Sequence, residues 1–163
     1  VIHRIFKEKG LTLSIAESCT GGLVLEKLIA LPGASEFLKG GIVAYSNEAK
    51  VEQLGVKEST LLESGAVSVE TAIEMAEGVA RTFKTDVGIS VTGVAGPDGG
   101  TAEKPVGTVC FGVCILRNKQ SDVDVLSYSK SSYLIGNRDT IRESSAQNLL
   151  NFLRVCLKES GIV

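Results

Sequence analysis

Leu11-Thr12-Leu13-Ser14-Ile15-Ala16-Glu17-Ser18-Cys19-Thr20-Gly21-Gly22-Leu23-Val24-Leu25-Glu26-Lys27-Leu28 reads as a strand handing over to a helix. Residues 11–16 alternate loosely among strand-compatible types, and apolar residues then recur at helical spacing up to Leu31. The spacing predicts a strand over 11–16 and a helix over 21–31. Gly21 and Gly22 allow the backbone to turn tightly between them, and the first amides of a helix have no partner within it. A hydroxyl set beside such amides is placed to attack a carbonyl and to have the resulting oxyanion held. Ser18 or Thr20 capping the helix is the competing reading of the same residues.

The pattern repeats outward from this unit. Ile42-Val43-Ala44 and Val87-Gly88-Ile89-Ser90-Val91 are short apolar runs bounded by turns, the pattern of strands covered on both faces. The corresponding strands are expected at 41–45 and 87–92. Helices are expected at 1–9, 47–54 and 69–83, with short helical pieces near Ser35 and over 58–63. Two long strands, 106–117 and 122–131, read as a hairpin turning through Arg117 to Ser121, and a last helix spans 138–158. Strands alternating with helices predict a three-layer α/β/α sandwich with a mixed, mostly parallel sheet, the antiparallel member coming from the hairpin. Residues 1–163 are expected to form one domain.

Composition narrows the chemistry. With 163 residues, 44% of them hydrophobic, the chain is long enough to bury about two thirds of its unfolded surface. A net charge of -2 and the lack of a basic cluster argue against a nucleic-acid groove. No apolar run reaches the roughly 18 residues of a membrane span, and no secretory signal pattern opens the chain. The chain begins with Val1, which reads as a start inside a longer gene product or a trimmed terminus. Cys19, Cys110, Cys114 and Cys156 form no CxxC pair, so they read as reduced thiols of a cytoplasmic protein. Cys110 and Cys114 fall on one strand face, where packing is the expected role. The single histidine, His3, lies in an N-terminal segment read as frayed, which removes a histidine-based triad and the usual zinc partner.

Polar residues collect at three predicted strand ends: Ser18, Tyr45-Ser46-Asn47 and Thr92-Gly93. Open α/β sheets bind ligands outside the carboxyl ends of their strands, so the three ends point to a common pocket. Asn47 is expected to cap the helix that follows, putting Lys50 in its first turn. A cation there opposes the helix dipole, and burial would lower its pKa further, making Lys50 a usable base for Ser18. A solvated surface lysine is the other reading. The glycine-rich loop Gly93 to Pro105 offers backbone amides to an anion or serves as a connector, and it lacks a Walker A ending. Asn137 is expected to cap the last helix and to set Arg138 at its anion-friendly end, with Arg142 one turn on, so that two guanidinium groups face one anion.

The motifs Ala16-Glu17-Ser18-Cys19-Thr20-Gly21-Gly22, Pro32-Gly33-Ala34-Ser35, Gly41 to Asn47, Lys50, Gly65-Ala66-Val67-Ser68, Val91 to Thr101 and Lys104 to Val109 together resemble the CinA C-terminal domain family over about Leu11 to Leu157. Its enzymatic members, of the PncC type, are nicotinamide mononucleotide amidohydrolases. The resemblance implies hydrolysis of the carboxamide of the mononucleotide to nicotinic acid mononucleotide and ammonia, in pyridine-nucleotide salvage. It implies Ser18 as nucleophile, Tyr45 and Lys50 as its activating partners and Thr92 in the same pocket, and Arg138 matches a family arginine. Gly136-Asn137-Arg138 stands here where the family has Gly-Asp-Arg: the Asn keeps the size and capping ability of Asp and loses its charge.

The mechanism expected is acyl transfer through Ser18 with no metal and no cofactor. Amides around Thr20, Gly21 and Gly22 are the expected oxyanion hole. Asn47, Thr92, Gly93 and Gly96 are expected to line the substrate site, and the 5′-phosphate is expected on Arg138 and the amides of the Gly93–Thr101 loop. The partners expected are a small-molecule nucleotide substrate and other copies of the chain, with neither nucleic acid nor membrane. Two alternatives stay open: Cys19 as nucleophile, and a non-catalytic nucleotide-binding or interaction module of the competence/damage-inducible type.

Overall fold

A computed structural model describes residues 1–119 and 122–163. Its elements are α1 (Ile2–Lys9), β1 (Leu13–Glu17), α2 (Leu23–Ile29), a 3-10 turn (Ala34–Glu36), β2 (Leu38–Val43), α3 (Asn47–Leu54), α4 (Glu58–Glu63), α5 (Val69–Phe83), β3 (Val87–Gly93), β4 (Thr108–Lys119), β5 (Asp122–Tyr133) and α6 (Arg138–Glu159). One five-stranded sheet has the order β2-β1-β3-β4-β5. β1 pairs in parallel with β2 and β3, and β4 runs antiparallel to both β3 and β5. Helices cover both faces, so the fold is the three-layer α/β sandwich with a mixed sheet that the strand pattern predicts. Gln120 and Ser121 of the expected hairpin turn lie outside the described residues.

The two sheet faces are built from different residue sizes. Leu13, Ile15, Val87, Ile89, Val91, Val109, Phe111, Val113 and Ile115 point one way and share a core with residues of α1, α2 and α6. The residues alternating with them are small, and α5 lies directly on them. A Cβ added at Gly88 would sit 2.1 Å from the Ala76 carbonyl oxygen, and one at Gly112 would sit 2.3 Å from that of Ala72. The bare backbone at these glycines lets the helix approach, and Ser90 Oγ donates to the Ala72 carbonyl at 2.5 Å. Cys110 and Cys114 share this face as buried thiols, the packing role expected of them.

Several boundaries differ from the expected ones for local reasons. α2 begins at Leu23, two residues late, because Gly21 (φ 61°) and Gly22 (φ 103°) hold the left-handed backbone that ends helical geometry. β2 occupies 38–43 and stops before Tyr45, since its pairing with β1 starts at Leu38 beside Leu13. β4 begins at Thr108, after a turn at Gly107 with φ 99°. His3 is not frayed: it lies in α1, within 3.0 Å of the Leu28 carbonyl oxygen, and stacks edge-on against Phe37. The consequence for function is architectural. The carboxyl ends of β1, β2 and β3 come together at one end of the sheet.

Candidate active site

Ser18 is the first residue past β1. Its amide donates to the Val91 carbonyl at 3.0 Å, fixing it between β1 and β3, and the Gly21 amide donates to the Ser18 carbonyl at 3.1 Å, closing the turn. Behind this turn lies Glu17, only 2% exposed. One of its oxygens accepts from Thr20 Oγ1 at 2.6 Å, Gly22 N at 3.0 Å and Val24 N at 3.1 Å, and the other from Leu25 N at 2.9 Å. A carboxylate at a helix start satisfies orphan amides and complements the dipole. The start of α2 is therefore filled by the protein's own side chain. This corrects the expected roles of Thr20, Gly21 and Gly22. The Gly22 amide is spent on Glu17 and the Gly21 amide on Ser18, Thr20 is fully buried with its hydroxyl on Glu17, and none of the three lines the pocket. The Cys19 amide, next after Ser18, donates to no other residue among those described, and Cys19 does line the pocket.

Lys50 is the other half of the centre. Ser46, not Asn47, caps α3, because its extended backbone lets its Oγ accept from Ala49 N at 3.1 Å. Asn47 becomes the first helical residue, and Lys50 falls at the end of the first turn, facing inward. Lys50 is 1% exposed, and its Nζ lies 3.1 Å from Ser18 Oγ, 2.9 Å from the Ala44 carbonyl and 3.4 Å from the Tyr45 carbonyl. The surface-lysine reading is excluded by this burial. Loss of solvent on burial pulls its pKa below the ordinary lysine value.

A pocket of about 180 Å³ opens beside the pair, lined by Ser18, Cys19, Tyr45, Asn47, Lys50, Ala66, Val67, Thr92, Gly93, Ala95 and Arg138. That is smaller than the roughly 300 Å³ at which ligand clefts usually start, room for a ring-sized group with the rest of a ligand outside. Three strand ends do meet in one pocket, as their polar residues suggest. Thr92 Oγ1 donates to the Ala66 carbonyl at 2.9 Å, so Thr92 fixes the Gly65–Ser68 loop that forms one wall. Gly93 lies where β4 crosses closely, since a Cβ there would be 2.9 Å from the Thr108 carbonyl oxygen.

Arg138 and Tyr45 form the rim. Arg138 donates to the Gly96 carbonyl at 2.6 Å and to the Tyr45 hydroxyl at 3.3 Å. Tyr45 is 65% exposed, and its hydroxyl bonds Arg138 rather than Ser18 among the described residues. Its contribution to the centre is the backbone carbonyl that holds Lys50. Gly96 does not line the pocket; its carbonyl is taken by Arg138, and within the 93–101 loop only Gly93 and Ala95 are pocket residues, while the Val94 and Thr101 amides bond to Thr108 and Lys104. Asn137 caps α6 as expected, its Oδ1 accepting from Thr140 N at 2.9 Å, which needs no carboxylate. Arg142 does not share an anion with Arg138: it donates to the Cys19 carbonyl at 3.2 Å and the Thr20 carbonyl at 3.0 Å.

Cys19 is not poised as a nucleophile. Burial pushes its thiol up to about 12, outweighing the nearby Lys50 and Arg142 charges, so it is protonated at neutral pH. Among the described residues no group of three or more His, Cys, Asp or Glu is placed to hold a metal ion. No helix among them is long and apolar enough to cross a membrane. Reading the sequence alone misses Glu17 and Arg142 as builders of the turn and Ala66, Val67 and Ala95 as lining. The one available signal was an acid ending a buried strand just before a glycine-opened helix.

The family model for the CinA C-terminal domain matches residues 1–157. A competence-damage inducible protein of Clostridium kluyveri is 51% identical over 94% of this chain. A CinA-like protein of Kosmotoga olearia is 49% identical over 96% of it. The chain spans only 36% of the length of either relative. Among solved structures, the competence/damage inducible protein of Agrobacterium tumefaciens superposes with a TM-score of 0.84 at 38% identity, over 94% of this chain and 90% of that one. The corresponding protein of Enterobacter asburiae gives 0.86 at 33% identity, over 96% and 93%. The chain belongs to the CinA C-terminal domain family.

Proposed function

We propose that this chain is a nicotinamide-nucleotide amidohydrolase that converts nicotinamide mononucleotide and water to nicotinic acid mononucleotide and ammonia. The observation that carries the reading is the buried lysine nitrogen 3.1 Å from the serine oxygen. Two of the three groups around that nitrogen are carbonyls, which only accept. A neutral amine has two N–H bonds and one lone pair. With the N–H bonds on Ala44 and Tyr45, the lone pair faces the one partner that has a proton to give, Ser18. Burial favours this neutral form.

In the proposed cycle Lys50 takes the Ser18 proton as Oγ bonds the carboxamide carbon, and the Cys19 amide faces the oxyanion. The C–N bond then breaks, with Lys50 returning its proton to the leaving nitrogen. Water, deprotonated by the same amine, attacks the ester carbon; the bond to Ser18 Oγ breaks and Lys50 returns that proton to the oxygen, regenerating both groups. The pocket, at about 180 Å³, is the proposed seat of the pyridine ring, and Arg138 at the rim is the group proposed for the 5′-phosphate. The enzyme so described works without a cofactor, in the cytoplasm and as a homo-oligomer. The test is ammonia release by the purified chain from the mononucleotide, with nicotinamide and the intact dinucleotide as controls. Preference for the mononucleotide is expected. Binding of the mononucleotide without ammonia release would instead favour a non-catalytic nucleotide-binding module.

A further inference from the structure

Arg142 lies one helical turn beyond Arg138 on α6, yet it points elsewhere. Its guanidinium donates through Nε to the Cys19 carbonyl and through Nη2 to the Thr20 carbonyl, across 123 and 122 residues of sequence. Both carbonyls belong to the turn directly after Ser18. On the opposite side the Glu17 carboxylate takes the donors of the same turn: the Thr20 hydroxyl and the amides of Gly22, Val24 and Leu25. The turn is thus gripped by a cation on its acceptors and an anion on its donors. The Arg142 grip is two-pronged and planar, which a lysine cannot reproduce. The ion pair that would compete for it, with Asp139, is long at 3.9 Å, and the Asp139 carboxylate is largely exposed. Gly21 lies beneath the guanidinium, 3.7 Å from Nη2 to the site of a Cβ.

We infer that Arg142 is a positioning residue for the reaction, holding the Cys19–Thr20 backbone so that Ser18 Oγ meets the Lys50 nitrogen and the Cys19 amide faces the pocket. It touches no pocket space itself, in contrast to Arg138. The inference rests on the proposed serine nucleophile. Deleting the grip frees two carbonyls and loosens a turn whose geometry sets the attack, so turnover falls with little change in substrate affinity.

The experiment uses two readouts on wild type, Arg142→Ala and Arg142→Lys. The first is ammonia release from nicotinamide mononucleotide, and the second is sulfonylation of Ser18 by phenylmethylsulfonyl fluoride, followed by intact mass with Ser18→Ala as blank. Both variants are expected to lose roughly tenfold or more in kcat and in labelling rate, the order of one charge-assisted hydrogen bond, with KM nearly unchanged. Millimolar guanidinium, far below denaturing concentrations, is expected to restore part of the loss in Arg142→Ala, and Arg142→Lys serves where the alanine variant does not fold. Wild-type rates in a folded variant, a rise in KM in place of a fall in kcat, or no guanidinium rescue of folded Arg142→Ala would overturn the inference. Slowed labelling in the variants with no ammonia from wild type would sink the substrate assignment alone and leave Arg142 in this role. No labelling of wild-type Ser18 would remove the nucleophile and the inference with it.

Discussion

At the scale of single residues the centre depends on one nitrogen whose three neighbours differ in what they can return. Lys50→Met keeps bulk and apolar character but has no lone pair for the Ser18 proton. Its turnover of the mononucleotide is expected to fall by at least about 100-fold, the usual worth of a general base. The wild-type rate is expected to rise with pH and level off below the ordinary lysine range, since the buried amine loses its proton earlier than a solvated one. A rise only near the free-lysine value would contradict that assignment. Arg138→Ala should weaken the mononucleotide by roughly ten- to a hundred-fold, as for a charged hydrogen bond lost, and scarcely alter the slower reaction of the riboside, which lacks the phosphate. Equal loss on both substrates would place Arg138 against the pyridine end. Ser18 and Lys50 were legible in the sequence because each follows a recognisable strand end or helix start. Tyr45 was legible only as a position: which of its groups matters depends on where a flexible ring points, and the hydroxyl went to Arg138.

At the scale of elements, the start of α2 is decided by a side chain that precedes it. A glutamine at position 17 keeps the shape of Glu17 but loses the second oxygen that accepts from Leu25 and the charge that suits four converging donors. Glu17→Gln is therefore expected to lose about 1–3 kcal/mol in urea unfolding, the cost of a buried donor left unpaired, and to slow turnover through the displaced turn. Unchanged stability would show that water or the backbone replaces the carboxylate. Strands, helix α5 and the capped start of α6 were readable from periodicity and cap residues. The start of α3 moved by one residue because serine and asparagine both cap well, and only the backbone decides between them. The close seat of α5 on Gly88 and Gly112 was hidden, since sequence shows small residues without showing what approaches them.

At the scale of the molecule, the fold brings three parallel strand ends together and buries a lysine at their junction. That burial has a sign. The folded chain holds Lys50 below its ordinary pKa and the unfolded chain does not, so the unfolded chain binds that proton more tightly. Raising the pH from the lowered folded value towards about 10.4 should therefore stabilise the fold, and below that window the full cost of burying the charge is present. The stability of wild type relative to Lys50→Met is expected to grow with pH across this interval in paired denaturation curves. A difference independent of pH would mean that Lys50 titrates alike in both states. The layered fold was legible because alternation of strands and helices leaves few ways to cover a sheet. The paired grips of Glu17 and Arg142 were not, since one reaches across 123 residues of chain. The proposed chemistry runs through Ser18, and the most direct measurement is ammonia release from nicotinamide mononucleotide by wild type beside Ser18→Ala. Release by the wild type and none by the folded variant is the predicted result. Wild-type release by Ser18→Ala would contradict the serine mechanism outright.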